Sequence, residues 1–222
     1  MKIIEPLGAD DIPTAHRAVR QRIRRAIVSG ELPGGSRLVQ SELARSLAVS
    51  VTPVREALRD LVGEGIVDFD AFRGATVHQT SLSELDEVYQ LRRLLTPLAV
   101  RSAVEKITED ELRRAETIEQ MMESSEGAEW IELNGRFHSV LDGAAQMPRL
   151  QEILSRLADI SALYVGVAIG GNATRRLRGD RDHEEMIAAY RARDVERSVE
   201  VALAHLEDTL EVARASMERG EI

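Results

Sequence analysis

Three histidines fall where they could act together. His138 follows Asn134 by four residues, on a stripe with Ile131 and Leu141, and His183 opens a stripe with Met186, Ile187 and Tyr190. His205 sits in an apolar arc from Val201 round to Leu203, beside the small residues Ser198, Ala202 and Thr209. Helical spacing thus turns one imidazole inward from each of three segments. Taken singly, each reads as a core histidine satisfied by a carbonyl or a water. Taken together they are costly to bury without partners. Neutral imidazole is the commonest transition-metal ligand, suited to zinc, nickel, iron or copper rather than magnesium. A zinc hydrolase would also need a positioned general base. His-Glu-x-x-His is absent, and Glu184 beside His183 is the one obvious candidate.

Residues 41 to 77, SELARSLAVSVTPVREALRDLVGEGIVDFDAFRGATV, hold a second constellation. The pattern predicts short amphipathic helices over 41–48 and 52–64, then a small hairpin. Thr52 offers a capping hydroxyl, and Pro53 a φ already set for the first helical turn. Val54, Ala57, Leu58 and Leu61 recur as a buried stripe, leaving Arg55 and Arg59 on or beside the opposite face. A helix with arginine in its first turn, held against a preceding helix, can enter a DNA major groove. The plainer alternative is a helical hairpin of an unrelated bundle.

The net charge of −9 argues at first against nucleic acid. Its distribution reverses that, because residues 12–60 hold 9 Arg/Lys against 4 Asp/Glu while residues 81–222 hold 18 against 28. Local charge sets phosphate affinity, and the acidic part would help orient the molecule on DNA. Cysteine is absent, which excludes disulfides and thiolate chemistry. The opening MKIIEPLGADDIPTAH lacks a signal pattern, and the longest apolar run, LYVGVAIGG, is too short to span a bilayer. A cytoplasmic protein with no membrane partner is expected.

The elements that must position these residues are mostly helical. A first helix is expected over 14–29, with Val19, Ile23, Ala26 and Ile27 buried and Gly30 as its C-cap. Short strands at 66–69 and 75–78 join around Arg73-Gly74. Beyond Ser83 the expected helices are 83–105, 109–124, 128–145, 149–169, 173–191 and 195–217. Breaks fall at Lys106-Ile107, Ser124-Ser125, Met147-Pro148 and Gly170-Gly171. Such a bundle leaves ligand room between helices. A very short linker near Thr80 would let its motion reach the DNA-binding head. The run Arg175-Arg176-Leu177-Arg178 reads as a solvated face rather than a second nucleic-acid site.

VTPVREAL, followed by L-x-x-x-G-I-V and F-R-G-A, resembles the recognition helix and wing of the GntR family of bacterial transcription factors, over about residues 14 to 80. Val51 stands where that family usually has arginine. Leu133-Asn134-Gly135-Arg136-Phe137-His138, then Asp182-His183-Glu184 and Ala204-His205-Leu206, resemble the metal-site pattern of the FCD effector-binding domain, the helical partner in the FadR-like branch, over about 83 to 215.

The resemblance implies a mostly α protein. A winged helix-turn-helix DNA-binding domain would span 1–80, and an all-α effector- and metal-binding domain 81–222. It implies DNA contacts by Ser41, Arg45, Ser50, Thr52, Pro53, Arg55, Arg59, Arg73 and Gly74. It also implies a divalent transition metal, zinc or nickel before manganese or iron, on Asn134, His138, His183 and His205. Asn134 and Arg92 would meet the effector. Arg92, in YQLRRLLTPLAV, offers a guanidinium fork for a carboxylate; the alternative is that Arg92 and Arg93 are surface or interface charges. Asn134 stands where aspartate is common and Thr96 where glutamate is. Asn134 leaves the site one negative charge short, which favours an anionic effector, and Thr96 marks a drift in ligand preference. The implied function is a homodimeric regulator, a repressor first of all, binding double-stranded operator DNA under control of a small carboxylate. The alternatives are a metal-dependent hydrolase using the three histidines, and a DNA-bound protein whose histidines are merely packed.

Overall fold

The computed structural model describes residues 15–169 and 173–219, without the side chains of 167–169 and 173–180. The break at Gly170-Gly171 and the side chains of Arg175, Arg176, Leu177 and Arg178 lie outside the described residues. The chain divides after Thr80 into two compact units.

The first unit runs α1 (Ala15–Val28), α2 (Gln40–Ser46), α3 (Val51–Glu64), β1 (Val67–Asp70) and β2 (Gly74–Val77). Its core takes Val19, Ile23 and Ile27 from α1 and Val54, Ala57, Leu58 and Leu61 from α3, all buried. The helical stripes read from the sequence are therefore the packed faces. The start of α3 is a correction. It begins at Val51 with Ser50 as N-cap, no side chain caps it, and Thr52 lies inside the helix. First-turn amides need no intrahelical acceptor, so a proline is tolerated at several first-turn positions and does not specify the starting residue. Helix α2 stops two residues early, and Ala48 takes a φ of 55°. The antiparallel β1–β2 ladder, Val67↔Val77 to Asp70↔Gly74, is shifted one residue from expectation at each strand. The Asp70 carboxylate accepts from the amides of Phe72 and Arg73, both at 2.8 Å, and fastens the turn. Gly74, at φ 80°, then re-enters the ladder in a conformation that side-chain-bearing residues avoid.

The second unit is helical: α4 (Leu82–Lys106), α5 (Glu109–Glu123), α6 (Gly127–Gly143), α7 (Pro148–Ile169), α8 (Ala173–Arg191) and α9 (Val195–Glu218). The boundaries lie within two residues of the periodicity reading because local chemistry marks them. Ser81 caps α4 by accepting from Glu84 N, Thr108 and Glu111 form a capping box on α5, Pro148 opens α7, and Asp194 caps α9. Helix α4 packs along α9, and α6 packs against α4, α5 and α7. The fully buried Tyr164 of α7 fixes the entry to α4. Its hydroxyl accepts from Ser81 N at 3.2 Å and donates to the Glu84 carboxylate at 2.6 Å. No described helix is long and apolar enough to cross a membrane.

Candidate functional site

Helices α6, α8 and α9 each contribute one histidine to a single cluster. The imidazole centroids of His138, His183 and His205 lie 5.1 to 5.3 Å apart. One nitrogen from each ring lies within 4.8 Å of the others. His183 is completely buried, 4.4 Å from the Phe137 ring and 6.4 Å from the Trp130 ring, centroid to centroid. Both of its ring nitrogens are without a hydrogen-bond partner, and so is the buried Oδ1 of Asn134. Burying a polar atom without a partner costs about 1–3 kcal/mol, and an ion among the imidazoles would take up one nitrogen of His183.

The electrostatics suit a cation. Burial holds His138 well below the usual imidazole range, with the charges of His205, His183 and Arg92 acting the same way. Burial, then His205, does the same for His183. Both are neutral at pH 7, with lone pairs free for a metal. His205 Nδ1 donates to Asp182 Oδ2 at 3.0 Å, which leaves Nε2 as the atom that can ligate. Three imidazoles that can each offer one nitrogen to a common point could hold a divalent transition metal.

A cavity of about 40 Å³ adjoins the cluster, with His138, His205, Arg92, Thr96, Asp142 and Tyr190 among its lining. Arg92 extends from α4 over the Tyr89 ring, 5.3 Å from its centroid, and donates to Ser161 Oγ at 3.1 Å. Its neighbour Arg93 turns away to pair with Glu207 of α9. The two arginines left open by the sequence thus divide, one to the cavity and one to an ion pair. Among the described residues, Asn134 and His183 do not line the cavity. Glu184 does not join the imidazoles; its carboxylate lies with those of Glu119 and Glu123 of α5. Sequence reasoning missed Asp182 and Asp142. Asp142 extends the Asn134–His138 spacing by one more turn of α6, a signal that was available.

In the first unit Ser41 and Arg45 on α2, Ser50, and Thr52, Arg55 and Arg59 on α3 are exposed, as is Arg73 in the wing. Pro53 and Gly74 are half-buried. Among the described residues Arg45, Arg55 and Arg59 have no ion-pair partner, whereas Arg20 of α1 pairs with Glu64. Phe72 beside Arg73 is 95% exposed at the tip of the wing.

Residues 15–77 match the family described as bacterial regulatory proteins, gntR family, and residues 87–208, more than half of the chain, match the FCD domain. The chain belongs to the GntR family. It is a transcriptional regulator with a C-terminal FCD domain, and membership removes the hydrolase alternative, since these regulators are not enzymes. This GntR chain is 26% identical over 206 residues to the HTH-type regulator YdhC of Bacillus subtilis, covering 90% of this chain and 91% of that one. It is 28% identical over 187 residues to McbR of Escherichia coli, covering 80% and 83%. It is also 26% identical over 206 residues to the repressor GlaR of the same organism, covering 88% and 94%. The solved structure of Escherichia coli McbR/YncC shares the fold, with a TM-score of 0.78 at 24% identity over 93% of this GntR chain and all of that one.

Proposed function

We propose that this GntR chain is a cytoplasmic, dimeric repressor whose operator affinity is set by a small carboxylate bound beside a metal in the FCD domain. The observation that carries the metal reading is His183, fully buried between two other imidazoles with neither ring nitrogen satisfied. Asn134, His138, His183 and His205 would hold the ion, zinc or nickel before manganese or iron. Arg92 would receive the carboxylate through its guanidinium fork. The GlaR relative supports the repressor reading by its name. Leu91, Leu94 and Leu98, at 40%, 71% and 53% exposure along α4, supply an apolar face for a second copy.

A two-fold dimer would present two heads to two half-sites. Ser50, Thr52 and Pro53 would open α3 toward the groove with Arg55 and Arg59, Ser41 and Arg45 would approach the backbone from α2, and Arg73 and Gly74 would do so from the wing. A ligand changes DNA affinity only through its different affinity for the two arrangements of the heads.

Titration of DNA from upstream of the chain's own coding region, at several salt concentrations and with or without metal and short-chain acids, tests this reading. Saturable, site-specific binding with a steep salt slope is expected; sequence-blind binding under every condition would overturn it. In the same assay Arg55→Ala is expected to lose about 1–3 kcal/mol of operator affinity and to relax specificity at one position. An unchanged titration would remove Arg55 from the interface.

Asp182→Asn tests the support of the metal. An asparagine at 182 cannot hold His205 in one tautomer as an ionised carboxylate does, so competition against a chelator should show about 10–100-fold weaker metal binding. Equal affinity would mean that Asp182 only packs.

A further inference from the structure

The cavity beside the imidazoles contains a carboxyl that makes no hydrogen bond to a described residue. Asp142 lies one turn beyond His138 on α6 and lines the cavity together with Arg92, whose charge acts on it. The hydroxyl of Tyr190, also in the lining, makes no such bond either. Burial pushes the Asp142 carboxyl up to about 6, with the charge of Arg92 opposing that rise. At neutral pH it remains largely ionised and can only accept hydrogen bonds. A plain alkanoate on Arg92 and the metal would leave this acceptor unpaired in a desolvated site. That arrangement is costly, and a donor on the ligand relieves it.

Resting on the carboxylate-effector reading above, we infer that the ligand is a short-chain hydroxy monocarboxylate, its carboxylate on Arg92 and the metal and its hydroxyl donating to Asp142. Charge selects among the donors that could serve. A divalent ion and Arg92 stand against Asp142 and Asp182, while three neutral imidazoles and the Asn134 amide add nothing. One net positive charge is left over, and a monoanion cancels it. A zwitterionic amino acid would leave it uncancelled, and a dicarboxylate would set its second carboxylate against Asp142. A cavity volume of about 40 Å³ suits a small ligand.

Calorimetric titration of the zinc-loaded full chain with matched pairs, lactate against propionate and 3-hydroxybutyrate against butyrate, tests the inference, with alanine as the ammonium-bearing control. The hydroxy member of at least one pair is expected to bind about tenfold or more tightly than its deoxy partner. Asp142→Ala should abolish that preference, and the deoxy acid should bind more tightly than before, because the unpaired acceptor that penalised it is gone. Asp142→Asn, of equal size, guards against a folding defect and should weaken the preference. Equal binding within both pairs, a preference that survives Asp142→Ala, or tighter binding of alanine would overturn the assignment of Asp142 while leaving a carboxylate effector in place. Failure of every acid to bind would overturn both.

Discussion

Loading the protein with zinc or nickel is expected to stabilise the helical unit by about 4 kcal/mol when the metal stands about 1,000-fold above its dissociation constant, and a chelator should remove all of it. The reason lies in the state of the ligands before metal arrives. His183 is completely buried with two orphaned nitrogens, and Asn134 Oδ1 is orphaned as well, so the metal-free fold carries a desolvation cost, part of which an ion on one of those nitrogens relieves. The unfolded chain scatters the same ligands over three helices' worth of sequence and binds far more weakly. For a unit of this size the gain is about 10 °C or more in melting temperature. The metal-free protein should also be acid-sensitive. His138 and His183 have folded pKa values below the usual 6.5, so below that pH the unfolded state binds more protons and stability falls with pH. Melting that ignores both metal and chelator would show that the three imidazoles are only packed.

Leu61→Ala is expected to destabilise the first unit by about 2–5 kcal/mol, the usual cost of emptying a fully buried leucine site. Leu61 is at 0% exposure, in a core where Val19, Ile23, Val54 and Ala57 are also at 0%. A small unit commonly has about 5–15 kcal/mol to lose, so the variant would retain little of it, and DNA binding would fail on mild warming. Hydrogen exchange separates this from a general defect. Amides of α1 and α3 should exchange much faster in Leu61→Ala, while those of α8 and α9 keep their protection and the metal stays bound. Equal acceleration in both units would mean that they unfold as one.

The helices were legible because their signals are local. The stripe Val54, Ala57, Leu58, Leu61 and the breaks at Lys106-Ile107 and Met147-Pro148 each depend on residues within a few positions of one another. The histidines could be read as inward-facing one helix at a time. Their meeting could not, because periodicity says nothing about which helices are neighbours; family resemblance supplied that step. The start of α3 was misread because Ser50, Thr52 and Pro53 all favour a helix N-terminus and none excludes the others. Asp182 and Asp142 passed unnoticed for a different reason. An aspartate on an amphipathic helix ordinarily faces water; Asp142 shares the four-residue spacing of Asn134 and His138, which marked its face of α6, whereas only the packed arrangement shows that Asp182 touches His205.

Tyr164 bears on how force would travel. It sits on α7, six residues beyond Ala158 and ten beyond Leu154, both of which help line the cavity, and its hydroxyl grips the backbone amide of Ser81. Ser81 is the first residue after the DNA-binding unit. A rigid helix couples those two places as a lever arm does, over about 9 Å between residues 158 and 164. A tilt of α7 on filling of the cavity would therefore be felt at Ser81, where α4 begins.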